Sequence, residues 1–212
     1  MCIIAALILT GCATPDNATA RGELLRPWIE LTGAKPGELL GGVAGRNGYT
    51  RLLYPTAVSA RNNDIYLVDA GLRRILRYNR AQQTLARFTT LAPDTGAGIY
   101  AAPDMSVYVT DPAVGQVLHF AWDGTPLPSL GAPGNLARPV SVVVDEGGGR
   151  VLVADGLYDQ IVVFSNMGMP LSIIKPRQVR AIAAIASGPD GIYVVDRLAR
   201  RVAVLGWGGE FR

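Results

Sequence analysis

The chain is poor in the side chains that most often do chemistry. It has two cysteines, Cys2 and Cys12, and one histidine, His119. From Ala13 onward there is no thiol, which excludes a cysteine nucleophile, a CxxC redox pair, a disulfide and haem attachment there. A single histidine falls short of the set a histidine-based zinc site uses. The sequence has no Asp-x-Asp-x-Asp-Gly calcium loop, no glycine-rich phosphate loop and no Gly-x-Ser-x-Gly elbow. Charged residues make up only 17%, and the net charge of +3 is spread along the chain. No basic run is interleaved with aromatics, so the usual footprint of nucleic-acid binding is missing, and no nucleic-acid partner is expected. The apolar run Ile3–Leu9 is too short to cross a bilayer, since a spanning helix needs about 20 residues.

What the chain does have is repetition. Four times a short apolar run ends in an aspartate: IYLVD (65–69), VYVTD (107–111), VLVAD (151–155) and IYVVD (192–196). The four aspartates, Asp69, Asp111, Asp155 and Asp196, lie 42, 44 and 41 residues apart. A period of about 40 residues holding several short strands is the signature of a β-propeller or a related array. The third repeat shows the plan. Pro139–Asp145, Arg150–Asp155, Gln160–Phe164 and Pro170–Ile174 read as four strands separated by Gly-, Asn- and Asp-rich turns. Their apolar runs are nearly continuous, which predicts strands covered on both faces. With 25 glycines, 14 prolines and 49% hydrophobic residues, the chain suits a turn-dense all-β fold with a substantial core.

Five residues after each aspartate stands a long polar donor: Arg74, Gln116, Gln160 and Arg201. The aspartate is expected to end its strand and accept hydrogen bonds from the next turn, while the donor ties the neighbouring strand to it. A motif present in every repeat reads as a blade staple rather than as four active sites.

The pattern Pro-x-apolar-x-apolar, then apolar-Tyr-Val-x-Asp, then Arg or Gln followed by apolar-x-x-Phe/Tyr, resembles the NHL repeat over roughly residues 51–212. IYLVDAGLRRILRYNR and VLVADGLYDQIVVF carry the likeness best. The family's usual Asn-His is replaced by Leu72-Arg73, Val114-Gly115, Tyr158-Asp159 and Ala199-Arg200. The resemblance implies an all-β propeller of NHL type with four recognisable blades. It leaves two forms open, a closed four-bladed ring and an incomplete part of a larger propeller. Repeat four has three strands, and Pro27–Gly33 reads as a lone strand suited to be its outer partner.

The N-terminus speaks to location. Leu9-Thr10-Gly11-Cys12, at the end of the apolar run, resembles a bacterial lipobox. That resemblance implies a signal peptide over 1–11, a lipidated Cys12 with a small polar tether over 12–26, and the propeller domain over 27–212. Only Met1-Cys2 precedes the run, where such signals carry Lys or Arg; the alternative is a buried strand that ends in Thr-Gly-Cys. An acylated chain is anchored to a membrane without spanning it. Ala13 after the cysteine points to the periplasmic face of the outer membrane, within the bacterial cell envelope.

No catalytic residue and no metal ligand is assigned. His119 sits in a third strand and reads as structural. Propeller geometry gathers the loops that enter the inner strands, and those between second and third strands, at one end of the channel. They bring Tyr54, Tyr100, Arg138, Tyr158, Arg180 and Arg197 forward as a possible binding rim, since Tyr and Arg are enriched in binding hot spots. The expected function is non-catalytic binding or scaffolding of a protein or polysaccharide partner, without a cofactor. The alternative is a propeller hydrolase or lyase with a dispersed metal site in the central channel. Calcium held by carboxylates from separate blades would leave no local motif.

Overall fold

A computed structural model describes residues 33–34, 50–89, 98–131 and 134–212, with only the backbone of 33–34 and 50–51. The signal, Cys12, the tether and residues 27–32 of the expected lone strand lie outside the described residues. Gly33 belongs to β1 (Gly33–Ala34), which pairs antiparallel with β2 (Thr50–Arg51). No helix occurs among the described residues.

The apolar runs become four antiparallel sheets, arranged as the blades of a four-bladed β-propeller. Blade one is β3 (Pro55–Arg61), β4 (Asp64–Asp69), β5 (Arg74–Asn79) and β6 (Thr84–Thr89). Blade two is β7 (Ile99–Ala101), β8 (Val107–Asp111), β9 (Gln116–Phe120) and β10 (Pro126–Leu130). Blade three is β11 (Pro139–Asp145), β12 (Arg150–Asp155), β13 (Gln160–Ser165) and β14 (Pro170–Ile174). Blade four is β15 (Ile182–Gly188), β16 (Gly191–Asp196) and β17 (Arg201–Leu205).

The core lies between blades. Tyr66, Val68, Ile75 and Phe88 of blade one meet Val107, Val109 and Phe120 of blade two. Tyr66 and Phe88 pack edge-on at 5.0 Å, and Phe88 and Phe120 at 6.0 Å, the geometry the ring quadrupoles favour. In blade three, Val151 and Val153 of β12 point towards blade two, and Leu152 and Ala154 towards blade four. β13 splits likewise, with Val162 and Phe164 on one side and Ile161 and Val163 on the other. Alternate residues of one strand therefore enter different cores, which is why the sequence shows continuous apolar runs.

Blade four breaks that rule. Ile192, Val194, Ala203 and Leu205 pack on blade three, but Val195 is 39% exposed and Val202 57%. The packed pairs of inner strands run β3 with β7, β7 with β11, and β11 with β15. The side of blade four that carries Val195 and Val202 is its exposed face among the described residues. The turn after β17 repeats that of the other blades: the Gly206 N–H donates to the Glu210 carbonyl as Ser165 does to Met169 and Ala121 to Thr125. A bridge between Leu205 and Phe211 follows, where β10 and β14 begin in blades two and three.

Candidate functional site

The antiparallel register fixes which loops share an end. Pro55 pairs with Asp69 and Asp69 with Arg74; Pro139, Asp155 and Gln160 line up the same way, as do Ile182, Asp196 and Arg201. Each aspartate, with the loop entering its inner strand and the loop after it, therefore lies at one end of the propeller. That end is called the aspartate end.

Three of these aspartates are fully buried, and each gathers main-chain N–H groups from two loops. Asp69 accepts from Leu53 (2.8 Å), Tyr54 (3.0 Å) and Leu72 (2.9 Å). Asp155 accepts from Ala137 (2.7 Å), Arg138 (3.2 Å), Leu157 (2.9 Å) and Tyr158 (3.4 Å). Asp196 accepts from Arg180 (3.1 Å), Ala181 (3.3 Å) and Ala199 (3.1 Å). Asp111 accepts from Ala113 at 3.2 Å, and the loop entering its blade, 90–97, lies outside the described residues. Of the donors five residues on, Arg201 pairs with Asp196 at 3.8 Å and also donates to the Gln178 carbonyl. Gln160 is buried beside Asp155, and Gln116 is its half-buried counterpart beside Asp111. Burial opposes the charge of Asp196, but the N–H groups of Ala199, Arg180 and Ala181 and the Arg201 guanidinium outweigh it, and its pKa falls below 3.8.

The staple shapes the loop that carries it. The fourth residue after each aspartate adopts a left-handed backbone: Arg73 (φ 51°), Gly115 (φ 73°), Asp159 (φ 49°) and Arg200 (φ 52°). In blade two this residue is glycine, and a Cβ on Gly115 would meet the Leu136 carbonyl oxygen at 2.6 Å. In blades two, three and four the side chains two and three places after the aspartate stand in solvent, whereas Leu72 in blade one is half-buried. Val114 is 66% exposed and Leu198 67%. Leu157 and Tyr158 are exposed in the same way, and Leu53 and Tyr54, on the loop entering β3, are exposed as well.

Charge follows the same division. The described loops of the aspartate end carry Arg73, Arg138, Lys175, Arg177, Arg180, Arg197 and Arg200, against the single acid Asp159. Asp159 accepts the Ile182 N–H at 2.9 Å. At the far end the described loops carry Asp104, Asp123, Glu146, Asp190 and Glu210, against Arg80 and the chain-terminal Arg212, which lies 3.9 Å from Asp190. The far end also shows apolar side chains, notably Trp122, Met167 and Met169.

Of the rim residues expected from sequence, Tyr54, Arg138, Tyr158, Arg180 and Arg197 are exposed on aspartate-end loops. Arg138 donates to the Gly156 carbonyl. Tyr100 is placed differently: it is the middle residue of β7, in register with Tyr108, and its hydroxyl lies 3.4 Å from Ser187 Oγ of blade four. It lines a cleft of about 450 Å³ formed by β3, β7, β11 and β15. The other walls are small or apolar, including Thr56, Ser59, Ser141, Val143 and Ala184, with no carboxylate, histidine, lysine or arginine among them. Ser59 and Ser141 bond the neighbouring blades, Ser59 Oγ accepting from Ala101 N–H at 3.0 Å and Ser141 Oγ from Ile185 N–H at 3.1 Å.

His119 lies outside the cleft. It stacks on Tyr108 with ring centroids 4.2 Å apart, and its Nε2 is buried with no hydrogen-bond partner among the described residues. Burial pushes its pKa below 6.5, opposed by the charge of Asp104 and a bond to the Pro128 main chain. No three His, Cys, Asp or Glu side chains gather as a metal site among the described residues. The rim residues that sequence reasoning missed are Leu53, Val114, Leu157, Leu198, Lys175, Arg177 and Arg200. For Val114, Leu157 and Leu198 the signal was there, an apolar residue two or three places after each aspartate.

The sequence matches no protein-family model and no curated protein. Solved structures are similar in fold. A streptogramin B lyase superposes with a TM-score of 0.63 at 17% identity, covering 74% of this chain and 53% of that one. A catalytically inactive virginiamycin B lyase from Staphylococcus aureus, with quinupristin, gives 0.63 at 14% identity over 74% and 54%. The computationally designed Ika8 protein gives 0.56 at 12% identity over 74% and 47%. The chain spans about half the length of these structures. At such identities the likeness is one of fold, and the fold is that of a β-propeller.

Proposed function

We propose that the chain is a lipid-anchored bacterial envelope protein whose NHL-type propeller is a non-catalytic binding module, with the rim of the aspartate end as its working surface. The observation that carries this is the rim itself. Staples at a fixed place in blades one, three and four hold loops that present Tyr, Arg and aliphatic side chains on one end, while the described walls of the central cleft carry no acid, base or nucleophile beyond hydroxyls. The partner is another component of the envelope, a protein or a polysaccharide. The Cys12 reading places the module beside it, on the periplasmic face of the outer membrane.

Two measurements test the two halves. Processing of the wild-type chain that stops with globomycin, and is lost in Cys12→Ser, supports the anchor; an unprocessed, soluble wild-type protein would sink it. For the rim, Arg180→Glu with Arg197→Glu is expected to abolish retention of the Cys12→Ser protein on isolated envelopes while thermal unfolding stays as in the parent. Unchanged retention would remove the rim from the function.

A further inference from the structure

We propose that the rim of the aspartate end docks on the surface of an anionic phospholipid bilayer. This rests on the reading of the rim as the working surface, and it assigns that surface to lipid in place of a protein or polysaccharide.

Three features of the rim point the same way. The first is sign. Lys175, Arg177 and Arg180 on one loop and Arg197 and Arg200 on the next are all exposed, as is Arg138 on the loop entering blade three. The one described acid at that end is engaged by a main-chain N–H. A juxtamembrane basic cluster is drawn to anionic headgroups, and guanidinium groups fit phosphate bidentately. The second is the apolar set between these charges. Val114, Leu157, Tyr158 and Leu198 are each more than half exposed. A polysaccharide offers only the narrow C–H faces of its rings to receive them, whereas the headgroup–acyl boundary takes in whole aliphatic side chains. The third is arrangement. The apolar residues sit two or three places after the aspartate in blades two, three and four, so they stand at one level around one end of the propeller. A level set of short aliphatic side chains suits a partner without a shape of its own. A protein partner is recognised through shape, with aromatic anchors in pockets.

The far end is the internal control. It too exposes large apolar groups, Met167 at 86% and Trp122 at 59%, but its loops are acidic and an anionic surface repels them.

The test uses the full chain carrying Cys12→Ser, so that no acyl chain contributes. Co-sedimentation is measured with mixed phosphatidylcholine–phosphatidylglycerol vesicles, with pure phosphatidylcholine vesicles and with heparin. Binding to the anionic vesicles is expected, weakened by salt and at least about tenfold stronger than to phosphatidylcholine. Leu157→Ser with Leu198→Ser, and separately Arg177→Glu with Arg180→Glu, should each lower it about tenfold or more, while Met167→Ser with Met169→Ser leaves it unchanged. These side chains are exposed, so circular dichroism and the unfolding temperature should match the parent. Equal binding to both vesicle types overturns the proposal. So does heparin binding as tight as vesicle binding and insensitive to the two leucine substitutions. If vesicles fail but Arg180→Glu with Arg197→Glu still abolishes envelope retention, lipid is excluded and the binding-module reading survives.

Discussion

The two ends of this propeller are made in different ways. At the aspartate end the same device recurs: a buried carboxylate accepts N–H groups from the loop before its blade's inner strand and from the loop after its own strand. At the far end the turns close on themselves, with Asp104, Asp123 and Asp145 each bonding within its own turn or hairpin. Asp104 accepts from Ser106, Asp123 from Thr125 at 2.9 Å, and the Asp145 carboxylate holds Arg150 and the Gly148 N–H. One end is a repeated frame that presents variable side chains, and the other is a set of local closures. A frame that is constant in backbone and free in side chain is what a binding surface needs, because affinity can be built there without touching the fold.

The sharpest way to break this comparison is to remove a staple. Asp155→Ala leaves several buried N–H groups without an acceptor and should cost on the order of 3 kcal/mol or more. Asp104→Ala at the far end removes an exposed turn cap and should stay within about 0.5 kcal/mol. Chemical denaturation of the two variants decides it; equal losses would mean that the staples are no more structural than ordinary turns.

The ends should also separate by pH. The folded pKa of His119 lies below 6.5, so the unfolded chain binds the proton more readily, and stability present above pH 6.5 falls as the pH drops below it. His119→Phe keeps the stack on Tyr108 and should flatten this first decline. Asp196 also has a lowered pKa, so its contribution is full above pH 3.8 and is lost as the pH falls further, through its folded value. Unfolding temperature against pH should therefore fall in two steps, of which only the first disappears in His119→Phe.

A smaller effect concerns the left-handed position after each staple. Gly115 occupies it in blade two, whereas Arg200 holds it in blade four at φ 52°. Arg200→Gly should raise stability by about 0.5 kcal/mol, read from the denaturation midpoint. The smallest change is expected on the exposed face of blade four, where Val202→Thr should leave the midpoint within about 0.5 kcal/mol.

Much of the fold was legible in sequence because it is local and repeated. The spacing of Asp69, Asp111, Asp155 and Asp196 marks the blades, and the run Val151–Ala154 reports a strand with two buried faces. The same run type in Ile192–Val195 misleads, because whether Val195 is covered depends on a neighbouring sheet and not on its own strand. The rim was legible in part. Tyr54, Arg138, Tyr158, Arg180 and Arg197 are on it, but Tyr100 lies within an inner strand, because blade two's first strand is short and carries no proline to mark its start. The opposite charges of the two ends could not be seen in a chain whose net charge is only +3. They emerge only when the topology assigns each loop to an end.

The most direct test is to place a photo-crosslinking residue at Tyr158 on the rim, and separately at Met167 on the far end, in the full chain in living cells. Adducts to an envelope component, lipid, glycan or protein, are expected from position 158 and not from position 167. Capture from position 167 alone, or equally from both, would contradict the assignment of function to the aspartate end.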